Sequence, residues 1–498
     1  MLQSFLASPL LCVVAIGAVV AQPRAPKPPA PGRLDLAILN GRVIDPESGL
    51  DAVRNLGIRG DRIVAIGTDP LNAAETIDAR GLVVSPGFID IHRHAHGDNS
   101  YRFAALDGVT SAFELEVGTP DVDAWYRMMG PARLINFGVG AGHIGARMQI
   151  LEDRGFMLPT GPGRGPASPA QTTEILKVVE AGLDAGALAV GMGLAYTPGA
   201  TPEAVAALFR LAAKRGAFVH GHLRGGAADL KSTLALAAET GAALHIAHIN
   251  STAGDDVTAW LASVREARAR KVDITTEVYP YTAGASLIQS ALYDRFAEWS
   301  DDRFSRFQWA ATGEFLTRET FTKYRAKGGS VISHSNTEES LRKGIADALP
   351  MFASDGGRDA DDNPTHPRAT GSFARILGRY VREEKAVLLP EALRRMTLEP
   401  ARRLEGRAPE MRDRGRIRLG AYADLTVFDP TTVIDRSTYT NPAAASEGIL
   451  HVVVNGTPVV RLGTLATHAK LQGVRVQMGA PMPGRPIRSA LRSGSHAQ

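Results

Sequence analysis

Cysteine is almost missing: Cys12 is the only one in 498 residues, and it lies in the first segment of the chain. Everything after it therefore lacks a disulfide staple, a thiol nucleophile and a thiolate metal ligand. Long runs of one charge are lacking too. The net charge is +4, the basic residues are scattered, and no basic stretch is interleaved with aromatics. Nucleic acid is therefore not an expected partner, and the small basic surplus is read as tuning solubility. Charge is absent altogether from Leu2 to Ala21, whose middle, Leu10 to Ile16, is apolar and whose end is built of small residues. This reads as a signal peptide (residues 1–21) cut after Ala21, followed by a proline-rich linker (22–32). The expectation is an exported protein, periplasmic or secreted, with no stable membrane partner.

What is present is glycine and proline, 51 and 30 residues, which suits a fold with many strand-to-helix loops. Residues 33–84 read as short strands punctuated by Asn40-Gly41 and Gly60-Asp61. Residues 407–464 repeat the pattern in Ala423-Asp424-Leu425-Thr426-Val427-Phe428 and around Asn455-Gly456. Two separated β pieces flanking a long middle predict one small β-sandwich built from both ends, with a C-terminal tail at 465–498. The middle, 85–406, alternates apolar β-branched runs with helical patterns such as Pro202-Arg215 and Ala227-Thr240. That alternation predicts an α/β fold closed as a (β/α)8 barrel. There is one strand candidate too many, and either Asp273-Val278 or Ser330-His334 must be the extra.

Chemistry concentrates first in Phe88-Ile89-Asp90-Ile91-His92-Arg93-His94. Strand alternation puts Asp90, His92 and His94 on one face, and two imidazoles at a strand end can chelate one metal. His94-Ala95-His96 offers a second register. Preceded by Pro86-Gly87, this strand resembles the entry strand of the amidohydrolase superfamily. Later motifs are similar to its D-aminoacylase (N-acyl-D-amino-acid deacylase) branch: Gly142-His143, Gly193 to Gly199, His222-Leu223-Arg224, His248, Tyr279 to Ala283, Ser354-Asp355-Gly356 and His366-Pro367-Arg368.

The resemblance implies a divalent metal, zinc in the first instance, at one or two ions per subunit. Its ligands would be His92, His94, His222, His248 and Asp355, with Asp355 also the general base for a metal-activated water. The branch's bridging ligand, Cys or carboxylated Lys in relatives, has no counterpart of either kind here. Phe113-Glu114-Leu115-Glu116 stands at that place, and a carboxylate is a competent substitute. Alternation points Glu114 and Glu116 into the barrel and the apolar Phe113 and Leu115 toward the helices. Depth then favours Glu116 as the metal ligand. His245 is expected to face the helices, while His220 could replace His222 by a register shift.

The resemblance also implies substrate contacts: Arg224 and Arg368 for a carboxylate, Asn250 where relatives carry Lys, and Tyr281, His143 and His334 around them. The implied reaction is hydrolysis of N-acyl-D-amino acids. The alternatives are a related amidohydrolase acting on a D-dipeptide, cyclic ureide or acyl-D-glutamate, and an exported binding protein on an inactive barrel. The exported protein is expected to begin near Gln22. Intact-mass analysis of soluble extracellular or periplasmic material checks this; Met1 retained in a membrane fraction would mean an uncleaved anchor instead.

Overall fold

Apolar β-branched runs followed by amphipathic helical stretches form repeated strand–helix units. In the computed structural model, which describes residues 33–465 and 482–490, eight of these strands run parallel in one sheet. In chain order they are Phe88–Asp90, Val109–Thr119, Asn136–Gly142, Val190–Gly193, Phe218–His222, Ala243–Ile246, Ile274–Val278 and Met351–Phe352. Each pairs with the next, and the last returns to the first: the Asp355 amide donates to the His92 carbonyl at 2.8 Å and the His94 amide to that of Gly356 at 2.9 Å. The sheet is thus a closed (β/α)8 barrel, and its C-terminal rim carries His92, His94, Asp355, His222 and His248 together. The expected signal peptide and linker, and residues 466–481 and 491–498 of the expected tail, lie outside the described residues.

Ile274–Val278 is the seventh barrel strand, so Ser330–Ser333 is the extra candidate. It pairs antiparallel with Gly284–Leu287 and Phe307–Trp309 in a small insert between barrel strands seven and eight. An aromatic core of Tyr293, Trp299, Phe304, Phe307 and Phe321 holds that insert together.

Nine strands from both ends make one further sheet, joined where Val83–Pro86 pairs antiparallel with Leu425–Phe428. Its own core includes Ile38, Leu56, Ile63, Val84, Leu425 and Val453. This is the β-sandwich expected from the two flanking pieces. Residues 482–490 return to the barrel's N-terminal end, where the Ile487 amide donates to the Phe137 carbonyl at 2.7 Å.

The facing of side chains differs from expectation in three barrel strands, and in one of them, strand two, alternation itself is interrupted. Phe113 and Leu115 cluster with Ile89, Ile91, Leu188, Phe218 and Met351, residues of five strands meeting in the lumen. Ala112 packs instead with the helix-side core. The expected facing of strand two is therefore inverted over its first half, and a register irregularity after Glu114 restores Glu116 to the lumen. In strand one, Asp90 leaves the expected face: it accepts from the Ser354 amide (3.0 Å) and hydroxyl (2.6 Å) and ties strand one to strand eight. In strand six, Leu244 and Ile246 join the helix-side core and His245 points inward, opposite to expectation.

Sandwich and barrel share a buried polar network. Arg414 pairs with Asp424, which also accepts from Asn136 at the start of the third barrel strand (3.1 Å) and from the Asn455 amide (2.6 Å). Asp424→Ala leaves the Arg414 guanidinium buried without its counter-charge, so a loss of about 3 kcal/mol or more is expected in chemical denaturation. A loss below about 1 kcal/mol would mean that the guanidinium finds water.

Candidate metal centre

Both oxygens of one buried carboxylate face imidazoles. Glu116 Oε2 lies 3.1 Å from His92 Nε2 and 3.1 Å from His94 Nε2, and its Oε1 lies 3.1 Å from His222 Nδ1. His248 Nε2 is 3.1 Å from His222 Nδ1. On the other side Asp355 Oδ1 sits 3.3 Å from His94 Nε2 and 3.6 Å from His92 Nε2. Two donor sets result, His92/His94/Asp355 and Glu116/His222/His248, each with its ligand atoms within 4.8 Å of one another. Glu116 touches both.

The local chain explains how each group arrives. The irregularity in strand two turns Glu116 inward, and Gly191 on strand four makes room for it, since a Cβ there would lie 2.5 Å from the Glu116 carbonyl oxygen. His248 lies two residues past strand six with φ of 30°, and Asp355 has φ of 51°. These left-handed turns swing both side chains over the rim, out of any strand parity.

Each imidazole is oriented from behind. Glu277 holds His92 Nδ1 and accepts from the His248 amide at 3.2 Å. Glu114 Oε2 is 2.9 Å from His94 Nδ1, and Thr252 Oγ1 is 3.0 Å from His248 Nδ1. Nδ1 being engaged, these three rings turn Nε2 toward the centre. Burial lowers the His92 pKa, but the Glu277, Asp355 and Glu116 carboxylates outweigh it and raise the value to about 10. Burial likewise pushes Glu116 up, yet His222, His92 and His94 hold it well below the usual carboxylate range. The centre is thus a buried excess of negative charge with Glu116 Oε1 lacking a hydrogen-bond donor. This is a donor set of hard oxygens and imidazole nitrogens that fits a divalent cation.

Of the six residues expected to touch substrate, Arg368 alone lines the cleft at this centre. It is 4% exposed; Nη1 lies 2.8 Å from Asp355 Oδ2, Nη2 donates to the Ala285 carbonyl at 3.2 Å, and Nε has no protein partner. Arg224 is drawn away, donating to the Ala200 carbonyl at 2.8 Å with Asp229 at 3.7 Å. Asn250 is buried and turned to the Tyr279 carbonyl at 3.3 Å. Tyr281 donates to Asp435 at 3.1 Å beneath Arg375, and His334 bonds Gln308 at 3.0 Å inside the insert. His143 is buried behind the cleft, its pKa lowered to about 3 by burial and by Arg147 and Arg224. His96 bonds Tyr101 and the Arg93 carbonyl, which settles the register on His92 and His94.

Sequence reasoning missed Glu277. The signal was its shared parity with Thr275 in a strand that could not be assigned to the barrel until the extra candidate was known. It also missed the layer beneath the candidate ligands, where His245 Nε2 meets Glu277 Oε2 at 3.0 Å and His220, fully buried beside His92, forms a third candidate donor group with His92 and Glu277. Tyr196 lines the cleft with its ring 4.6 Å from His222; burial, with Glu116 and Asp355 near, raises its pKa and keeps the phenol protonated.

Residues 156–460 match the amidohydrolase family. The N-acyl-D-glutamate deacylase of Alcaligenes xylosoxydans xylosoxydans is 33% identical over 482 residues, covering 86% of this chain and 94% of the relative. The D-aminoacylase of the same organism is 27% identical over 475 residues, covering 85% and 94%. Among solved structures, the N-acyl-D-glutamate deacylase from Bordetella bronchiseptica, complexed with zinc and a phosphonate mimic of the tetrahedral intermediate, is similar with TM-score 0.76. It is 27% identical, covering 92% of this chain and 100% of that one.

Replacing Glu116 by Ala is expected to remove at least one equivalent of metal from purified protein. Glu277→Gln should keep the stoichiometry but bind metal about 10–100-fold more weakly. Elemental analysis with chelator competition decides; full stoichiometry in the Glu116 variant would remove it from the ligand set.

Proposed function

The chain belongs to the amidohydrolase family, and on that footing we propose that it hydrolyses N-acyl-D-amino acids to a carboxylate and a free D-amino acid. The observation that carries the reading is the two-sided Glu116 carboxylate between two imidazole pairs, with Asp355 beside them. The residues that would hold a divalent cation, zinc in the first instance and one or two ions per subunit, are His92, His94 and Asp355 on one side and His222 and His248 on the other, with Glu116 facing both. A divalent cation held there lowers the pKa of water toward neutrality and polarises the amide carbonyl.

The chain's own groups supply the rest. Although burial pushes the Asp355 pKa up, Arg368 and the histidines hold it well below the usual range, so it is ionised and able to take a proton. Its Oδ1 faces the imidazoles and its Oδ2 is held by Arg368, which fixes the orientation of the carboxylate at the centre. The protonated Tyr196 phenol is a donor for the oxygen on which charge develops. Arg368 Nε, buried without a protein partner, is available to the substrate's own carboxylate. The relatives named for N-acyl-D-glutamate and general D-aminoacylase activity support this class, and the uncharged Leu2–Ala21 segment supports action outside the cytoplasm.

A panel of N-acyl-D- and N-acyl-L-amino acids tests the proposal. D-enantiomers should be cleaved about tenfold faster or more, because a fixed metal and a fixed guanidinium leave one side for the side chain. Asp355→Asn should keep the fold and lower kcat by roughly 10²–10⁴-fold. Equal rates for both enantiomers would overturn the substrate class, and near-normal turnover by the metal-replete Asn variant would overturn Asp355 as the base.

A further inference from the structure

We infer that a second cavity beside the metal centre receives the acyl chain, and that the preferred substrates carry an apolar acyl group much longer than acetyl. The inference rests on the N-acyl-D-amino-acid reading and adds which half of the substrate lies where.

The cleft over the metal ligands is small, about 70 Å³, and opens beside a cavity of about 740 Å³. The two share His94, Val117, Met157 and Arg358. Arg368, Ser286 and Tyr196, groups suited to an amino acid's carboxylate, line the small cleft and not the large cavity; Arg358 stands at the junction of the two, and Arg133 in the large cavity is paired with Asp98. With the scissile carbonyl at the His94 side of the centre and the amine half toward Arg368, the remaining substituent of the carbonyl leads past Val117 and Met157 into the larger space.

That space is built for hydrocarbon. Trp125, Met128, Met129, Met148 and Phe156 line it. Its charged groups are paired within the protein: Asp98 with Arg133 at 2.8 Å, Glu114 with His94 at 2.9 Å, and Arg358, at the junction with the small cleft, with Asp362 at 3.7 Å. Methionines adapt to chains of differing length and kink better than branched side chains do. At the mouth, Met128 and Phe156 are 68% and 60% exposed, an apolar outlay on the surface that packing of the fold does not use. The rim is held ready. Asp153 accepts from the amides of Gly155, Thr160, Gly161 and Gly163 at 2.7–3.1 Å, fixing the loop that carries Phe156 and Met157. Met157 itself sits at the junction of the two spaces with φ of 58°, a conformation that methionine rarely adopts.

The test uses the metal-loaded protein, the N-acetyl and N-octanoyl derivatives of one D-amino acid, and the free acids acetate and octanoate. We expect kcat/KM at least about tenfold higher for octanoyl than for acetyl, and octanoate bound at least about tenfold more tightly than acetate by calorimetry. Met148→Glu should bring both ratios to within about threefold of unity, and Met148→Leu should retain them. Equal kcat/KM and equal binding of the two acids in the unaltered protein overturn the inference. Turnover of no acylated D-amino acid, with the octanoate preference intact and sensitive to Met148→Glu, overturns the substrate reading and upholds the cavity as an acyl site.

Discussion

One carboxylate reaching two pairs of imidazoles sets the requirements that the surrounding fold meets. Glu116 can do this only if strands one, two, five and six end at a common height and strand two departs from regular pairing just below that height. The departure in turn needs Gly191, because a methyl group there would press on the Glu116 carbonyl. Four acidic side chains, Glu114, Glu116, Glu277 and Asp355, are gathered around the histidines, with the Arg368 guanidinium against Asp355. Buried like charges of this density are unfavourable by themselves, so the arrangement is complete only with a cation.

A second tier makes the first usable. An imidazole can present either nitrogen, and a metal centre needs that choice fixed before the ion arrives. Glu277, Glu114 and Thr252 take the Nδ1 atoms of His92, His94 and His248 and so direct Nε2 to the centre. His222 is the exception, presenting Nδ1 to Glu116. Glu277 does double duty, joining His92 to His245 and receiving the His248 amide, so that ligands from strands one and six are aligned by one residue on strand seven.

How much of this was legible follows from which rules hold locally. The barrel and the split sandwich could be read because strand and helix periodicities persist over long segments, and the HxH pair because its spacing is itself the chelate. Strand parity was a poorer guide. It placed Glu114 and Glu116 on one face and Phe113 and Leu115 toward the helices, whereas the apolar pair fills the lumen and only Glu116 joins it there. Depth along the strand put Glu116 level with the histidines, where its carboxylate faces three of them, even though the facing argument failed. Motif membership was poorer still for substrate contacts. Arg224 and Asn250 each lie two residues from a metal-facing histidine, yet backbone carbonyls at Ala200 and Tyr279 claim their side chains. Sequence neighbours of a ligand share its element, but hydrogen bonding decides where they point.

The exceptions to regular geometry are not spread evenly. Strand one bends after Asp90, strand two is irregular after Glu114, and His248 and Asp355 adopt positive φ, all toward the C-terminal rim, while a further irregularity between Phe88 and Ile89 lies at the start of strand one. Regular strands would aim alternate side chains straight across the lumen, where the six candidate ligands from five strands could not meet at one point. The irregularities turn side chains toward that point in ways the ladder cannot supply. Placing them where strands end confines the disruption: Asp355 still donates its amide to the His92 carbonyl and His94 donates to Gly356, so the barrel closes through the same residues that leave its regular path. Strain and closure therefore occupy one ring of backbone. The rigidity of that ring is what lets a solvent-facing rim hold ligands in fixed register, while the lower barrel, filled by Ile89, Phe113, Leu188, Phe218 and Ile487, keeps to ordinary apolar packing.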